Sequence, residues 1–330
     1  MFGSLLGRSD DAGTAPASVG EDPKEHRVRI GLALGGGAAR GWAHIGVLRA
    51  LKEGGIEPDI IAGTSIGAVV GGCYIAGILD NLEAFARGLT RRRIFGLLDI
   101  NLAGSGLISG NRLSKLLAAE LGDKRIEDLP RRFVCVATEL STGHEIWMSH
   151  GNLVESLHAS YALPGIFQPV KIGNRWLVDG ALVNPIPVSV CRALGANFVI
   201  AVNLSSDLFG RGTVVQDDGP EVSIPPEPTK DMSASVVSGT DARKILRRQL
   251  VGASDGPPGI SSVMVEAFNI IQDRISRSRL AGDPPDLMIN PKLGRIGLFE
   301  FHRAAEAIDA GYVVGKRMVA EIQEGLSSPA

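Results

Sequence analysis

A serine lies between two glycines at the point where an apolar segment gives way to a run of small residues. The segment before it has the character of a strand, Gly63–Gly67 is a tight turn, and the residues that follow have helical character. A G-x-S-x-G sequence between a strand and a helix is the pattern of a nucleophile elbow, in which glycines allow a sharp turn and the serine projects at the helix N-terminus. The context therefore predicts that Ser65 is a nucleophile supported by Gly63 and Gly67, although the pattern alone also occurs in ordinary turns.

A second glycine-rich turn, "GGGAARG", follows the first apolar strand and precedes a helical pattern. Such turns bind anions through backbone N–H groups, so both a dinucleotide-binding turn and an oxyanion hole come into question. The dinucleotide pattern fits poorly, because counting from Gly35 puts Arg40 at its sixth position, where glycine is required. An oxyanion hole is favoured, since both turns would emerge at the carboxyl edge of one parallel sheet. We expect the hole at Gly36, Gly37 and Ala38, with the last two as the N–H donors.

An acidic residue that could act as the base ends another apolar strand, in "WLVDGALVNPIPV". Asp179 is followed there by Gly180 and a proline-stiffened segment, which presents it at the sheet edge; an aspartate before a glycine is otherwise a common turn residue. A carboxylate with the usual pKa of about 4 is a weak base for a serine hydroxyl. We therefore expect Asp179 to be partly desolvated and within hydrogen-bond reach of Ser65. The chain has six histidines, none in a glycine-rich turn: His26, His44, His144, His150, His158 and His302.

Taken in order, the motifs "GGGAARG", "GTSIGA" and "DGALVNPIPV" resemble those of the patatin-like phospholipases, in particular bacterial proteins related to the catalytic domain of neuropathy target esterase. "ASYALPGIFQPV" and "DLMINPKLGRIGLFEFHRAAEAIDAGY" are similar to the same branch. The resemblance covers residues 28 to 322, apart from 205–259. It implies a three-layer patatin-like fold and hydrolysis of lipid carboxylic esters, of phospholipase A or lysophospholipase type, through an acyl-enzyme and without a catalytic histidine.

Carried over residue by residue, the resemblance matches Ser65 to the nucleophile and Asp179 to the base of a Ser–Asp dyad. The stretch from Gly36 to Gly41, which includes Arg40, matches the oxyanion motif. Arg40 could face a lipid phosphate or orient the loop. The chain departs from the family at Ala38, where glycine is usual, and at Ala181, where a second glycine after the aspartate is common. The methyl group of Ala38 could narrow the site and so affect acyl preference.

The alternation of apolar strands with helical patterns predicts an α/β fold with a mainly parallel central sheet flanked by helices. With 330 residues, the chain can form one large domain with a well-buried core. We expect a disordered tail over residues 1–27, a hydrolase domain over 28–322 with a flexible insert at 205–259, and a C-terminal tail over 323–330. The insert contains the basic amphipathic stretch "DARKILRRQL", which suggests either a cover that opens at a lipid surface or a spacer.

Composition excludes several classes of function. A net charge of −2 argues against a general nucleic-acid binder. The widely spaced Cys73, Cys135 and Cys191 are predicted to be buried free thiols. Neither a metal nor a cofactor is expected. No transmembrane helix or signal peptide is evident, so we expect a cytoplasmic protein whose partner is a lipid or phospholipid. The basic and apolar residues of "RRRIFGLLDI" suit transient contact with an anionic membrane surface, and equally a solvated helix end.

Two other functions remain open at this stage. An ordinary α/β-hydrolase would need a Ser–Asp–His triad with a late histidine such as His302, which lies in a helix-like run. A non-catalytic lipid-binding or regulatory protein could keep the same fold, but the presence of both Ser65 and Asp179 argues against it.

Overall fold

The computed structural model describes residues 27–97, 111–207 and 260–327, and its centre is one eight-stranded sheet. The strands are β1 Ile30–Leu34, β2 Ile60–Thr64, β3 Arg132–Glu139, β4 Glu145–Met148, β5 Val170–Ile172, β6 Arg175–Asp179, β7 Phe198–Val202 and β8 Leu287–Ile289. Their order across the sheet is β5-β6-β3-β2-β1-β7-β8, and β4 pairs with β3 off this path. The strands β3, β2, β1, β7 and β8 are mutually parallel, whereas β4, β5 and β6 pair antiparallel. The expected mainly parallel sheet is confirmed.

Nine α-helices lie in the described ranges. They are α1 Ala43–Glu53, α2 Ile66–Ile75, α3 Leu79–Arg87, α4 Arg91–Leu97, α5 Asn111–Leu121, α6 Leu153–Ser160, α7 Val188–Ala193, α8 Ile260–Gly282 and α9 Ala304–Ser327. Short 3₁₀ turns occupy Ala38–Trp42, Ile126–Asp128, Gly180–Leu182 and Phe301–Arg303. None of these helices is long and apolar enough to cross a bilayer.

The helices cover both faces of the sheet, which gives the three layers that the sequence implies. Alternate residues of the central strands belong to two separate hydrophobic clusters, because successive side chains of a strand point to opposite faces. In β1, Leu32 and Leu34 belong to the larger cluster with the apolar sides of α1 and α2, while Ala33 belongs to a smaller one with α7. Burial on both faces explains why the parallel strands are continuous apolar runs in the sequence.

Two helix boundaries are set by local features of the chain. The stretch "NLEAFARGLTRRR" forms two helices, since α3 ends at Arg87 with Gly88 as its C-cap and the Thr90 hydroxyl accepts a hydrogen bond from the Arg93 amide at the start of α4. The closing helix α9 continues beyond residue 322 to Ser327, where the side chain of Gln323 donates to the Gly54 carbonyl at 2.9 Å. The expected C-terminal tail thus begins inside a helix. Most of the expected N-terminal tail and of the insert lies outside the described residues.

Candidate active site

The pairing of β3 brings Ser65 and Asp179 together although 114 positions separate them. Along β3, Val136 pairs with Thr64 at the end of β2, and the next residue, Ala137, pairs with Asp179 at the end of β6. β6 therefore pairs with β3 directly beyond the end of β2. Ser65, the residue after Thr64, lies next to Asp179 as a result, and Ser65 Oγ donates a hydrogen bond of 2.7 Å to Asp179 Oδ2.

Ser65 forms the corner between β2 and α2 in a backbone conformation that side chains rarely adopt. Its φ is 56° and its ψ is −126°, and it is the N-cap of α2. A positive φ at a residue other than glycine is strained and persists only where its surroundings hold it. The flanking glycines allow the close packing that this corner needs, because a Cβ on Gly67 would overlap the carbonyl of Leu34 and a Cβ on Gly63 would overlap the backbone of Ala68.

Ser160, at the end of α6, fixes the backbone of this corner. Its hydroxyl accepts a hydrogen bond of 3.0 Å from the Ser65 amide and donates one of 2.6 Å to the carbonyl of Val136 on β3. Sequence reasoning assigned no role to this serine. The only signal was its position in "ASYALPGIFQPV", a stretch that resembles the family without carrying one of its three glycine-turn motifs.

Asp179 is almost entirely removed from solvent, with 2% of its surface exposed. Burial raises the pKa of its carboxyl group to about 7, and the hydrogen bonds from Ser65 and the Ala181 amide oppose this shift. The Ala181 amide donates to Asp179 Oδ1 at 2.8 Å, so each carboxylate oxygen has a partner. The Asp179 backbone is held by the Thr138 hydroxyl and by the carbonyl of Ala162. A carboxyl group with a pKa near neutrality can accept a proton at physiological pH better than an ordinary aspartate can.

Gly180 allows the chain to turn directly after Asp179. A Cβ at this position would overlap the carbonyl of Val136, so only glycine permits the strand β6 to approach β3 so closely here. Ala181, where the family commonly has a second glycine, is completely buried and keeps the amide that holds Asp179.

The loop after β1 presents two free backbone amides. Gly36 donates its N–H to the Pro185 carbonyl at 3.0 Å, and Ala39 donates to Leu298 at 3.0 Å. Within the described residues, the amides of Gly37 and Ala38 have no acceptor. Ala38 has a φ of 47°, which turns its amide away from the helical direction. Gly36 was grouped with the oxyanion hole, but its own N–H is already engaged, so two amides rather than three are available to a ligand.

Arg40 is buried beside this loop, and Arg40 Nε donates a hydrogen bond of 2.8 Å to the carbonyl of Ile296. Desolvation lowers the pKa of its guanidinium, against the attraction of Asp207 and Glu266. Gly41 follows at a point where a Cβ would overlap the side chain of Ile66. Of the two roles considered for Arg40, the contact with Ile296 favours orientation of the loop.

The five histidines in the described ranges make no hydrogen bond with Ser65 or Asp179. His44 is buried and its Nε2 lies 2.7 Å from the Gly35 carbonyl, and burial lowers its pKa to about 4. Arg91 Nε donates to His302 Nε2 at 3.2 Å. His144 and His150 are at the surface. This part of the chain therefore offers no third member for a Ser–Asp–His triad.

The structure describes all three cysteines, and all are buried and free of disulfide bonds. Burial raises the pKa of the Cys73 and Cys191 thiols to about 12. In the ranges that the structure covers, no three His, Cys, Asp or Glu side chains lie close enough together to hold a metal ion.

An apolar cavity of about 220 Å³ begins at Ile66, the residue after the serine, and follows one side of α2. Ile66, Val69 and Cys73 line it at the spacing i, i+3 and i+7, which places them in a row along the helix. Apolar side chains of α3 and α5, together with Trp42, Phe167 and Phe301, complete its walls. Asn81 and Glu120, hydrogen-bonded to each other at the exposed side, are its polar exceptions. The cavity has the volume and the apolar walls that an alkyl chain needs.

Comparison with known proteins identifies a family and several relatives of this chain. The profile of the patatin-like phospholipase family matches residues 32–192, which contain the serine turn and the Asp179 turn. A Mycobacterium tuberculosis protein named as an uncharacterized NTE family protein is 33% identical over 329 residues, covering 86% of this chain and 89% of that protein. Lysophospholipase nte1 of Emericella nidulans is 28% identical over 91% of this chain but only 19% of its own length.

A solved structure is also similar. The crystal structure of VipD from Legionella pneumophila matches 89% of this chain and 67% of its own, with 12% identity and a TM-score of 0.46. The family profile and the mycobacterial relative, which is matched over nearly its whole length, show that the chain belongs to the patatin-like phospholipase family.

Proposed function

We propose that the protein hydrolyses carboxylic esters of lipids through a dyad of Ser65 and Asp179. The observation that carries this proposal is the 2.7 Å hydrogen bond from a strained, elbow-positioned serine to a buried carboxylate. A nucleophilic serine needs a base within this distance, and the base works best when its pKa is near the working pH.

In the proposed reaction, Asp179 Oδ2 takes the hydroxyl proton as Ser65 Oγ attacks the ester carbonyl carbon. The carbonyl oxygen becomes an oxyanion, which the amides of Gly37 and Ala38 and the N-terminus of α2 stabilise. The intermediate collapses when the protonated Asp179 gives its proton to the departing alcohol, which leaves an acyl group on Ser65. Water then attacks this ester with Asp179 again as the base, and the acid and the free serine are released.

The acyl part of a lipid fits the apolar cavity along α2. Family membership and the name of the fungal relatives, lysophospholipase, support a phospholipase A or lysophospholipase type of reaction. This chain matches 19% of the length of those fungal proteins. Their lysophospholipase activity therefore supports the proposed reaction type and does not define the substrate of this chain. No step of the proposed reaction uses a cofactor.

We extend the proposal to a transient contact with a membrane surface, where lipid substrates are found. Arg91, Arg92 and Arg93 are exposed at the start of α4, beside the wall of the cavity. Cations there suit an anionic bilayer and would make binding sensitive to salt. The basic stretch of the insert, for which the same contact was expected, lies outside the described residues.

Replacement of the dyad is the first test of this function. Ser65→Ala and Asp179→Asn should each lower kcat/KM for 4-nitrophenyl butyrate by at least about 10³-fold, because the nucleophile or its proton acceptor is lost. Ser156→Ala, at a buried serine of α6, is the matched control, and His302→Gln should stay within about tenfold. Turnover like that of the wild type by Ser65→Ala, or a loss in His302→Gln equal to that in Ser65→Ala, would refute the dyad.

The pH profile reports the ionisation of Asp179. Because the carboxylate is the active form, kcat/KM should rise with pH and level off above about 7, the value to which burial raises its pKa. The folded protein keeps this proton at pH values where the unfolded chain has lost it, so the contribution of Asp179 to stability should fall as the pH rises from about 4 to about 7. Asp179→Asn should abolish that part of the pH dependence in urea denaturation. An inflection of the kinetic profile near pH 4 would contradict a buried base.

The third test addresses the acyl cavity. Ile66 and Cys73 are seven residues apart, about 10 Å along a helix axis, and Val69 lies between them. Val69→Phe should fill the cavity partway, leave hydrolysis of 4-nitrophenyl acetate within about threefold and reduce that of the decanoate at least tenfold. Val313→Phe, at an exposed valine of α9, is the matched control. An equal effect on all chain lengths would argue against an acyl chain in this cavity.

A further inference from the structure

The helix α8 buries several polar side chains and exposes several apolar ones. Buried polar residues recur along it at the spacing i, i+3, i+4 and i+7, which puts them on one face: Asn269, Gln272, Asp273 and Ser276. About half of the surface of Val263, Met264, Ile270 and Ile271 is exposed. A helix that packs on a hydrophobic core has the opposite arrangement. Polar side chains thus form much of the buried side of α8 between Asn269 and Ser276.

The helix α8 also lies close to the candidate active site. α8 packs against the 3₁₀ turn Gly180–Leu182, directly after Asp179. Distances measured at Gly36 show how closely α8 approaches Ser65. A Cβ on Gly36 would lie 3.4 Å from Ala181 Cβ, 3.5 Å from Ser65 Cβ and 3.7 Å from Gln272 Nε2. Gln272 and Ser65 thus border the same small space.

The side-chain amide of Gln272 is available there. Asp273 is paired with Arg277 at 2.7 Å, and Asn269 Nδ2 lies 3.4 Å from Glu266 Oε2. Gln272, which is 8% exposed, makes no side-chain hydrogen bond to any residue that the structure describes. Its amide atoms are also not among the buried side-chain atoms that lack a partner, so they border space that water or a ligand can occupy.

Two neighbours of Ser65 differ in polarity, as the acyl and alcohol parts of a lipid ester do. Ile66 opens to the apolar cavity that suits the acyl chain, whereas Gln272 borders the serine on the side of Gly36 and Ala181. We propose that the buried face of α8 is the subsite for the alcohol part of the ester. There Gln272 Nε2 donates a hydrogen bond to an oxygen of a hydroxylated alcohol of the glycerol type. This assignment rests on the proposed ester hydrolysis.

Two esters of one acid separate this role from others. Glycerol 1-monooctanoate and 4-nitrophenyl octanoate carry the same acyl chain, but only the first has alcohol hydroxyls, and release of octanoate can be measured for both. Gln272→Met keeps the length and helix preference of the side chain while removing its amide. The variant should lower kcat/KM for the glyceryl ester about tenfold or more, chiefly through KM, and leave the nitrophenyl ester within about twofold. Gln323→Leu, at an exposed amide of α9, is the control, and Gln272→Leu replaces Gln272→Met if the latter does not fold.

Three results would overturn the assignment of the subsite. An equal loss of kcat/KM on both esters would place Gln272 in the oxyanion hole or the scaffold. Unchanged kcat/KM on both esters would show that the Gln272 amide has no role. A wild-type protein that cleaves the nitrophenyl ester but not the glyceryl ester would show that the site does not take such an alcohol. The proposed function fails separately, if the wild type cleaves neither ester or if Ser65→Ala cleaves both.

Discussion

The hydrogen bond between Ser65 and Asp179 depends on burial of a carboxylate, and the rest of the site is arranged around that requirement. A buried charge is costly unless it is neutralised or hydrogen-bonded, and the pKa of about 7 expresses this cost. The protein places the carboxylate at the edge of its sheet, where the Ser65 hydroxyl and the Ala181 amide satisfy one oxygen each. These donors hold the carboxylate without a cationic partner among the described residues, which suits its proposed role as a base.

This arrangement requires unusually close backbone packing. Ser65 and Ala38 are the non-glycine residues of the described chain with a positive φ, and they lie in the two loops that face the candidate site. Glycines next to them accept contacts that a Cβ would prevent, and the Ser160 hydroxyl ties the serine corner to β3. The strain at Ser65 is thus held by the sheet, which lets the hydroxyl project from the N-terminus of α2.

For physical reasons, the sequence predicts the turns around the candidate site better than the contacts that support them. A glycine at the end of an apolar strand marks a sharp turn or a close backbone contact, so Gly63, Gly67 and Gly180 point to the correct corners. Alternating strand and helix patterns likewise predict the parallel sheet. Ser160 could not be found this way, because its role depends on a contact with a residue 95 positions away.

Other features are hidden because the sequence pattern does not encode them. The helix α8 looks like an ordinary amphipathic helix in sequence, since periodicity does not tell which of its residues are buried. The start of α4 involves a hydrogen bond between Thr90 and the Arg93 amide that composition does not reveal.

The identity of the nucleophilic atom is the central claim about this protein. Reaction with an alkyl fluorophosphonate, followed by peptide mass spectrometry, tests this without any choice of lipid. We predict a single phosphonyl adduct on Ser65, no adduct in Ser65→Ala, and slower labelling in Asp179→Asn because the serine has lost its base. An adduct on a different residue, or labelling of Ser65 at an unchanged rate without the Asp179 carboxylate, would contradict the proposed dyad.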